Sequence, residues 1–242
     1  MKRLFLMPVF LLAACGPPFD IDRPPPWQEP PAVVENLEEA WAKIIVLDVG
    51  QGDAALLIAP SGEALLIDTG PPERGEAAVL AVLSEQSVEQ IPYLFISHHH
   101  EDHDGSLSAL LDNPLFDTAQ VIDPENAEVG ATLRLGPLSI QILGANGQIG
   151  GEIFLNEEQR GDENALSVAL MIEYGAFRYL TSGDLTGGGG DPPYETVDLE
   201  SPLADLAGDV DILHVNHHGS HTSTNQNFLD GVTPEAALIS VG

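Results

Sequence analysis

Four of the eight histidines fall inside Ser97-His98-His99-His100-Glu101-Asp102-His103-Asp104-Gly105. The other four, His214, His217, His218 and His221, share a second short segment more than a hundred residues later. Burial alone gives histidines no reason to bunch. Two clusters far apart in sequence make sense in a chain that folds back to place both around one object. Imidazoles interleaved with carboxylates suit a borderline first-row metal ion. At the end of a strand, His98 and His100 project to one side, because alternate residues do. Asp102 and His103 supply a second direction from the tight turn that follows. Two directions from one loop allow two metal ions. His99 falls on the opposite face and reads as a spectator.

The rest of the chain reads as strands punctuated by a few helices. Apolar, β-branched runs predict strands at 44–49, 53–59 and 63–68, joined by tight turns and therefore antiparallel. Helical spacing follows at 75–84, then a strand at 93–96 that ends in the first histidine cluster, and a helix at 107–111. Short strands are expected at 119–122, 132–135 and 138–143. Residues 144–161, rich in Gly, Asn and Gln, read as a loop. A hairpin at 165–174 and 177–180 runs into Ser182-Gly183-Asp184. The glycines at 187–190 read as a flexible linker, since no phosphate-loop Lys follows them. A helix at 199–206, a strand at 211–215 ending in the second histidine cluster, a helix at 227–231 and a strand at 236–241 complete the pattern. This order predicts a layered α/β (α+β) body with its chemistry in loops at strand ends.

Composition restricts the partners. The chain has 38 acidic against 8 basic residues, a formal net charge of −30. Long nucleic acid is normally held by Lys and Arg that neutralise phosphates, so a broad electrostatic groove for it is disfavoured. The single cysteine, Cys15, excludes an internal disulfide and a cysteine-based zinc knuckle. It follows a basic start, Lys2-Arg3, and a short apolar run, which is the layout of a secretory signal at 1–14. Leu12-Ala13-Ala14-Cys15 resembles a bacterial lipoprotein processing box, which implies lipid on the Cys15 sulfur. Residues 15–41, dense in proline, then read as an extended tether with a short lead-in helix at 32–41. The folded domain is expected over 42–242, held at the cell envelope by the lipid. Oligomeric state leaves no signal.

His98-x-His100-x-Asp102-His103 resembles the signature of the metallo-β-lactamase fold superfamily. Val49-Gly50-Gln51-Gly52-Asp53, Leu66-Ile67-Asp68-Thr69-Gly70, Ser182-Gly183-Asp184 and His217-His218-Gly219-Ser220 occur with it in order. That series is similar to the soluble domain of ComEC-type competence proteins and related stand-alone hydrolases. The resemblance implies a four-layer αββα fold and two divalent metal ions, zinc or manganese. It implies that His98 and His100 serve the first ion, that Asp102 and His103 serve the second, and that Asp184 bridges them. One histidine of the His217-His218 pair completes the second position. His218, next to Gly219, is favoured, leaving His217 as a supporting or proton-donating group. Asp68 supports the metal loop without ligating, and Asn164 lies near an Asn-Ser-like motif of the competence branch.

Two departures accompany the resemblance. No histidine lies between His103 and Asp184 to give the first ion a third imidazole. The last strand would continue into a further polar loop, so the fold is expected to be shortened at its C-terminus. The activity implied is hydrolysis by a water molecule activated between two metal ions, with Asp102 or Asp184 orienting it. A phosphoester or phosphodiester is the substrate class implied by analogy, and a lactone is an open alternative. The competing reading is a non-catalytic metal-binding lipoprotein, accessory to DNA or envelope-component binding.

Overall fold

The computed structural model describes residues 41–191 and 195–241. The expected signal segment, Cys15 and the tether with its lead-in helix lie outside the described residues, apart from Trp41. No helix among the described residues is long and apolar enough to cross a membrane.

The chain opens with three antiparallel strands, β1 (Lys43–Val46), β2 (Ala55–Ile58) and β3 (Ala64–Ile67). Helix α1 (Gly75–Glu85) leads to β4 (Tyr93–Phe95), and α2 (Glu101–Asp104) and α3 (Leu107–Leu111) lead to β5 (Gln120–Ile122). Both β4 and β5 pair in parallel, giving a five-stranded sheet in sequence order. The second sheet contains β6 (Thr132–Leu135), β7 (Leu138–Ala145), β8 (Gln148–Ile149), β9 (Glu152–Ile153), β10 (Ala169–Tyr174) and β11 (Phe177–Thr181). A two-stranded ribbon, β12 (Gly187–Gly189) with β13 (Thr196–Asp198), precedes α4 (Glu200–Ala207). Then β14 (Ile212–His214), α5 (Gln226–Val232) and β15 (Ala236–Leu238) extend the second sheet in parallel from β11.

Period-two alternation explains the layering. In β2, Ala55 and Leu57 face the second sheet, while Leu56 and Ile58 face the helices. In β10, Leu170 and Ile172 face the first sheet, while Ala169 and Met171 turn outward. The apolar contacts therefore form three slabs. One lies between the sheets, around Phe95, Ile140 and Tyr179. A second joins the first sheet to Val79 and Leu83 of α1 and Leu110 of α3. The third joins the second sheet to Leu203 of α4 and Phe228 of α5. Strands covered on both faces need continuous apolar runs, which is why Ala-Leu-Leu-Ile recurs in β2 and β3. The result is the expected four-layer αββα order.

Four expectations need correction. The segment at 144–161 is not all loop: β7 runs on to Ala145, and β8 and β9 form a hairpin across Gly150 and Gly151. The glycines at 187–190 are not a free linker, because Gly187–Gly189 pairs with Thr196–Asp198. The last strand ends at Leu238 and not at 241, since β14 offers only three partners. Residues 163–166 form a 3-10 turn ahead of β10.

Each sheet contributes two parallel strand ends on the same side of the molecule: β3 and β4 from the first, β11 and β14 from the second. Val168 N donates to Ser97 O (2.8 Å), joining the sheets there. Phe95, fully buried between the sheets next to that end, is the packing anchor. Phe95→Ala is expected to lower unfolding free energy by about 3–5 kcal/mol in denaturant titration. A loss below about 1 kcal/mol would contradict this packing.

Candidate metal centre

Each strand end carries one piece of the site. After β3 the backbone turns left-handed at Asp68 (φ 57°), swinging its carboxylate beneath the loop after β4. Ser97 N and Ser97 Oγ both donate to Asp68, at 2.7 Å each, and His103 Nδ1 lies 2.9 Å from Asp68 Oδ2. An ionised carboxylate only accepts, so His103 Nδ1 donates and its Nε2 faces the site with a lone pair. The Ser97 hydroxyl spends its hydrogen on Asp68, so it accepts from His98 Nδ1 (3.0 Å), and His98 Nε2 is presented the same way. His218 Nδ1 lies 3.1 Å from the Ser240 carbonyl, which also only accepts, and Nε2 is again left inward.

Asp184 stands at the centre, delivered by the turn after β11. Gly183 (φ 53°) packs so tightly on Ser97 that a Cβ there would come within 2.4 Å of the serine Cβ. Glycine at this position lets the two sheets' turns touch. Asp184 Oδ1 lies 3.2 Å from His103 Nε2 and 3.8 Å from His218 Nε2. Its Oδ2 lies 3.6 Å from His98 Nε2 and 3.7 Å from His217 Nε2. One oxygen thus serves each half. The His217-His218 pair is split by geometry: both residues adopt left-handed backbone angles, so neighbouring rings point to different sides of Asp184. Conformations of this kind cost of order 1–3 kcal/mol each and persist where surroundings enforce them.

Among the described residues three groups of donor atoms lie within 4.8 Å of one another; an exposed one, His99, Asp123 and Glu125, stands apart, and the other two meet at Asp184. One is His98, His100 and Asp184; the other is Asp53, His103, Asp184 and His218. Asp102 stands beside the second group, with Oδ2 3.3 Å from His218 Nε2 and 3.9 Å from His103 Nε2. Asp68 touches neither group directly. His99 points away and sits between Asp104 (2.9 Å) and Glu125 (3.0 Å). His221 is exposed and belongs to neither group. Asn164 Nδ2 lies 3.4 Å from His217 Nε2.

Asp53 is the member that sequence reasoning missed as a site residue. Its loop is held by a bond from its own N to Asp102 O (3.0 Å), which turns the carboxylate inward. His214, at the end of β14, lies 3.6 Å from Asp53 Oδ1 and is fixed by Tyr179 and Ser240. The only available signal was the motif Val49-Gly50-Gln51-Gly52-Asp53.

The residues fit a cation. Nine buried side-chain N and O atoms among the described residues lack a hydrogen-bond partner. Four of them, Asp53 Oδ1, His103 Nε2, Asp184 Oδ1 and His218 Nε2, belong to the second group. A buried, unpartnered polar atom costs about 1–3 kcal/mol. Four lone pairs pointed at one another demand an electron-pair acceptor, and a mixed N/O donor set is what zinc or manganese accepts.

The electrostatics agree with that demand. Burial, helped by the neighbouring His103, lowers the His98 pKa to about 2. Burial opposes charge on Asp184, but the surrounding histidines, His103 first, win and lower its pKa to about 2. Burial also opposes charge on His103, yet the carboxylates of Asp68 and Asp184 hold it well above the usual histidine range. His218 is raised as well, because the Asp102 carboxylate beside it outweighs burial. Burial lowers His217.

These features place the protein in a family. A model described as "Metallo-beta-lactamase superfamily" matches residues 47–242, and the chain belongs to that superfamily. Its members are generally metal-dependent hydrolases, usually of zinc. Over 222 residues the chain is 30% identical to "Recombination protein 2" of Haemophilus influenzae, covering 86% of this chain and 25% of that one. It is 31% identical over 219 residues to "Competence protein ComA" of Neisseria gonorrhoeae, covering 88% and 28%. The chain therefore spans about a quarter of the length of these relatives. Among solved structures, the metallo-beta-lactamase fold protein YhfI of Bacillus subtilis covers 81% of this chain and 88% of its own at 13% identity, with a TM-score of 0.46.

Two outcomes follow from the geometry. Asp68→Asn removes the acceptor that aims His103, so zinc affinity falls about 10–100-fold in chelator competition while His99→Ala leaves it unchanged. Equal effects of the two would contradict the assignment. A cation entering at His103 and His218 competes with protons for the same nitrogens, and the carboxylates beside both rings raise their affinity for protons. Zinc uptake at pH 7 is expected to release protons, read as a dependence of binding heat on buffer ionisation enthalpy, and to weaken as pH falls. Heats independent of buffer would contradict it.

Proposed function

We propose that the protein is a hydrolase that uses two divalent metal ions, zinc or manganese, to cleave a small phosphoester or phosphodiester at the cell envelope. The observation that carries this reading is the convergence of four buried, unpartnered N and O atoms on one point, with a second donor group sharing Asp184. His98, His100 and Asp184 would hold one ion, and His103, Asp184, His218 and Asp53 the other. Ions bound there supply Lewis acidity and bring the pKa of site water toward neutrality.

The chain's own groups do the rest. Asp102, whose side chain is 31% exposed beside His218, accepts a hydrogen bond from the attacking water and orients it. His217 is neutral because burial lowers its pKa. His217 Nδ1 donates to Thr222 Oγ1 (3.3 Å), and the Thr222 hydroxyl lies 3.2 Å from Ser220 Oγ, which fixes the ring. Asn164 Nδ2, 3.4 Å away, can only donate, so His217 Nε2 presents a lone pair toward the mouth, takes up a proton there and passes it to the leaving-group oxygen. Asp184 keeps the two halves in register.

Charge supports a small substrate. From Lys43 onward the only Lys and Arg residues are Lys43, Arg74, Arg134, Arg160 and Arg178. Lys43 is bonded to Gln86, Arg160 to Asn146 and Arg178 to Glu173, and a long polyanion needs many free ones. The competence and recombination names of the relatives support a phosphodiester in particular. The basic start, apolar run and Leu12-Ala13-Ala14-Cys15 support a lipid anchor and an envelope location.

A second reading, a metal-binding lipoprotein without catalysis, is favoured by the thin first group, where only His98, His100 and Asp184 converge and His100 is exposed. Stoichiometry and turnover separate the two. The protein is expected to bind two equivalents of zinc or manganese and to hydrolyse bis-p-nitrophenyl phosphate, with Asp184→Asn lowering turnover by more than about 100-fold. Metal uptake without hydrolysis of any phosphoester would leave the second reading standing in its place.

A further inference from the structure

Glu200 is fully buried and takes no part in the chemistry described so far. It opens α4, and no Lys or Arg among the described residues bonds to it. Its carboxylate is held by neutral donors: Asn216 Nδ2 (2.6 Å) and Thr224 N (2.5 Å) on Oε1, and Asn225 N (2.7 Å) on Oε2. Room for it is reserved in the chain. A Cβ on Gly187 would come within 2.1 Å of Glu200 Oε2, so glycine at 187 admits the carboxylate. A buried carboxylate is costly unless fully bonded, and here three amide donors supply the bonds.

The chain of bonds does not stop at Asn216. That residue, also fully buried, accepts from Ser182 Oγ through Oδ1 (2.7 Å). Ser182 stands two positions before Asp184, and Asn216 stands immediately before His217-His218. One unbroken line, Glu200–Asn216–Ser182, therefore ties the turn carrying the central aspartate to the turn carrying the late histidines. The backbone adds a second tie, His217 N to Gly183 O at 3.1 Å. A loop with two consecutive left-handed histidines needs such fixing, because extended or helical angles would aim both rings elsewhere.

We propose that Glu200 is a positioning residue, acting through Asn216 and Ser182, which sets the spacing between Asp184 and the His217-His218 turn and thereby the affinity for the second cation. It touches neither cation nor substrate. The proposal rests on the metal-binding reading above, but its test can fail alone.

The experiment is zinc competition against a chromophoric chelator, on the full chain and on Glu200→Gln, Ser182→Ala and the double variant, with thermal unfolding in chelator alongside. Each single change is expected to weaken one zinc equivalent about 10–100-fold. The double variant should be no weaker than the worse single, because both changes break one line through Asn216. Zinc affinity unchanged in the singles while the melting temperature falls, or losses that simply add, would overturn the proposal and leave Glu200 as a loop brace. If Glu200→Gln does not fold, Ser182→Ala decides alone, since it removes one hydroxyl, and unchanged zinc affinity there overturns the proposal. A wild-type chain that takes up no zinc would sink the metal-binding reading and this proposal with it.

Discussion

Asp184 offers one carboxylate oxygen to each half of the site, and the rest of the structure can be understood as what is needed to hold it there. Oδ1 faces His103 and His218; Oδ2 faces His98 and His217. A carboxylate buried among imidazole lone pairs is unstable unless something positive sits between them. Protons on His103 and His218 can serve in that role, and so can a divalent ion. The site is thus built to receive a positive charge. Its surroundings, Asp68 under His103 and the Ser240 carbonyl behind His218, fix which nitrogen faces inward.

That demand explains the architecture. Donors from the ends of β4, β11 and β14, and the supporting Asp68 from β3, meet only if the two sheets stack with these strand ends on one side. Alternating apolar residues in β2 and β10 enforce the stacking, and Phe95 and Tyr179 fill the space between. Where the two turns touch, a side chain at Gly183 would push Ser97 away and open the site. Packing and chemistry are therefore joined at Ser97: its backbone closes the sheets together through Val168, and its hydroxyl sets both Asp68 and His98.

Much of this was legible in the residues. The His98-x-His100-x-Asp102-His103 spacing at a strand end dictates two projection directions, and Leu-Leu-Ile runs bounded by glycine mark β2 and β3 in the same sheet. Asp53 was harder, because it is one of 38 acidic residues and its partners His103 and His218 lie far away in sequence. The glycines at 187–190 misled for a physical reason. Glycine content reports chain freedom, whereas here the missing side chains make way for β13 and for the Glu200 carboxylate. Two-residue strands such as β8 and β9 are too short to show any period. Glu200 left no signal, since a buried glutamate and a solvated one look alike until the fold supplies the donors.

X-ray absorption at the zinc edge of the zinc-loaded protein tests the central claim most directly. Convergence of these side chains predicts a shell of nitrogen and oxygen donors at about 2.0–2.2 Å, with the outer-shell scattering of imidazole rings. A shell of oxygen alone, without imidazole scattering, would place the metal on the acidic surface and contradict it.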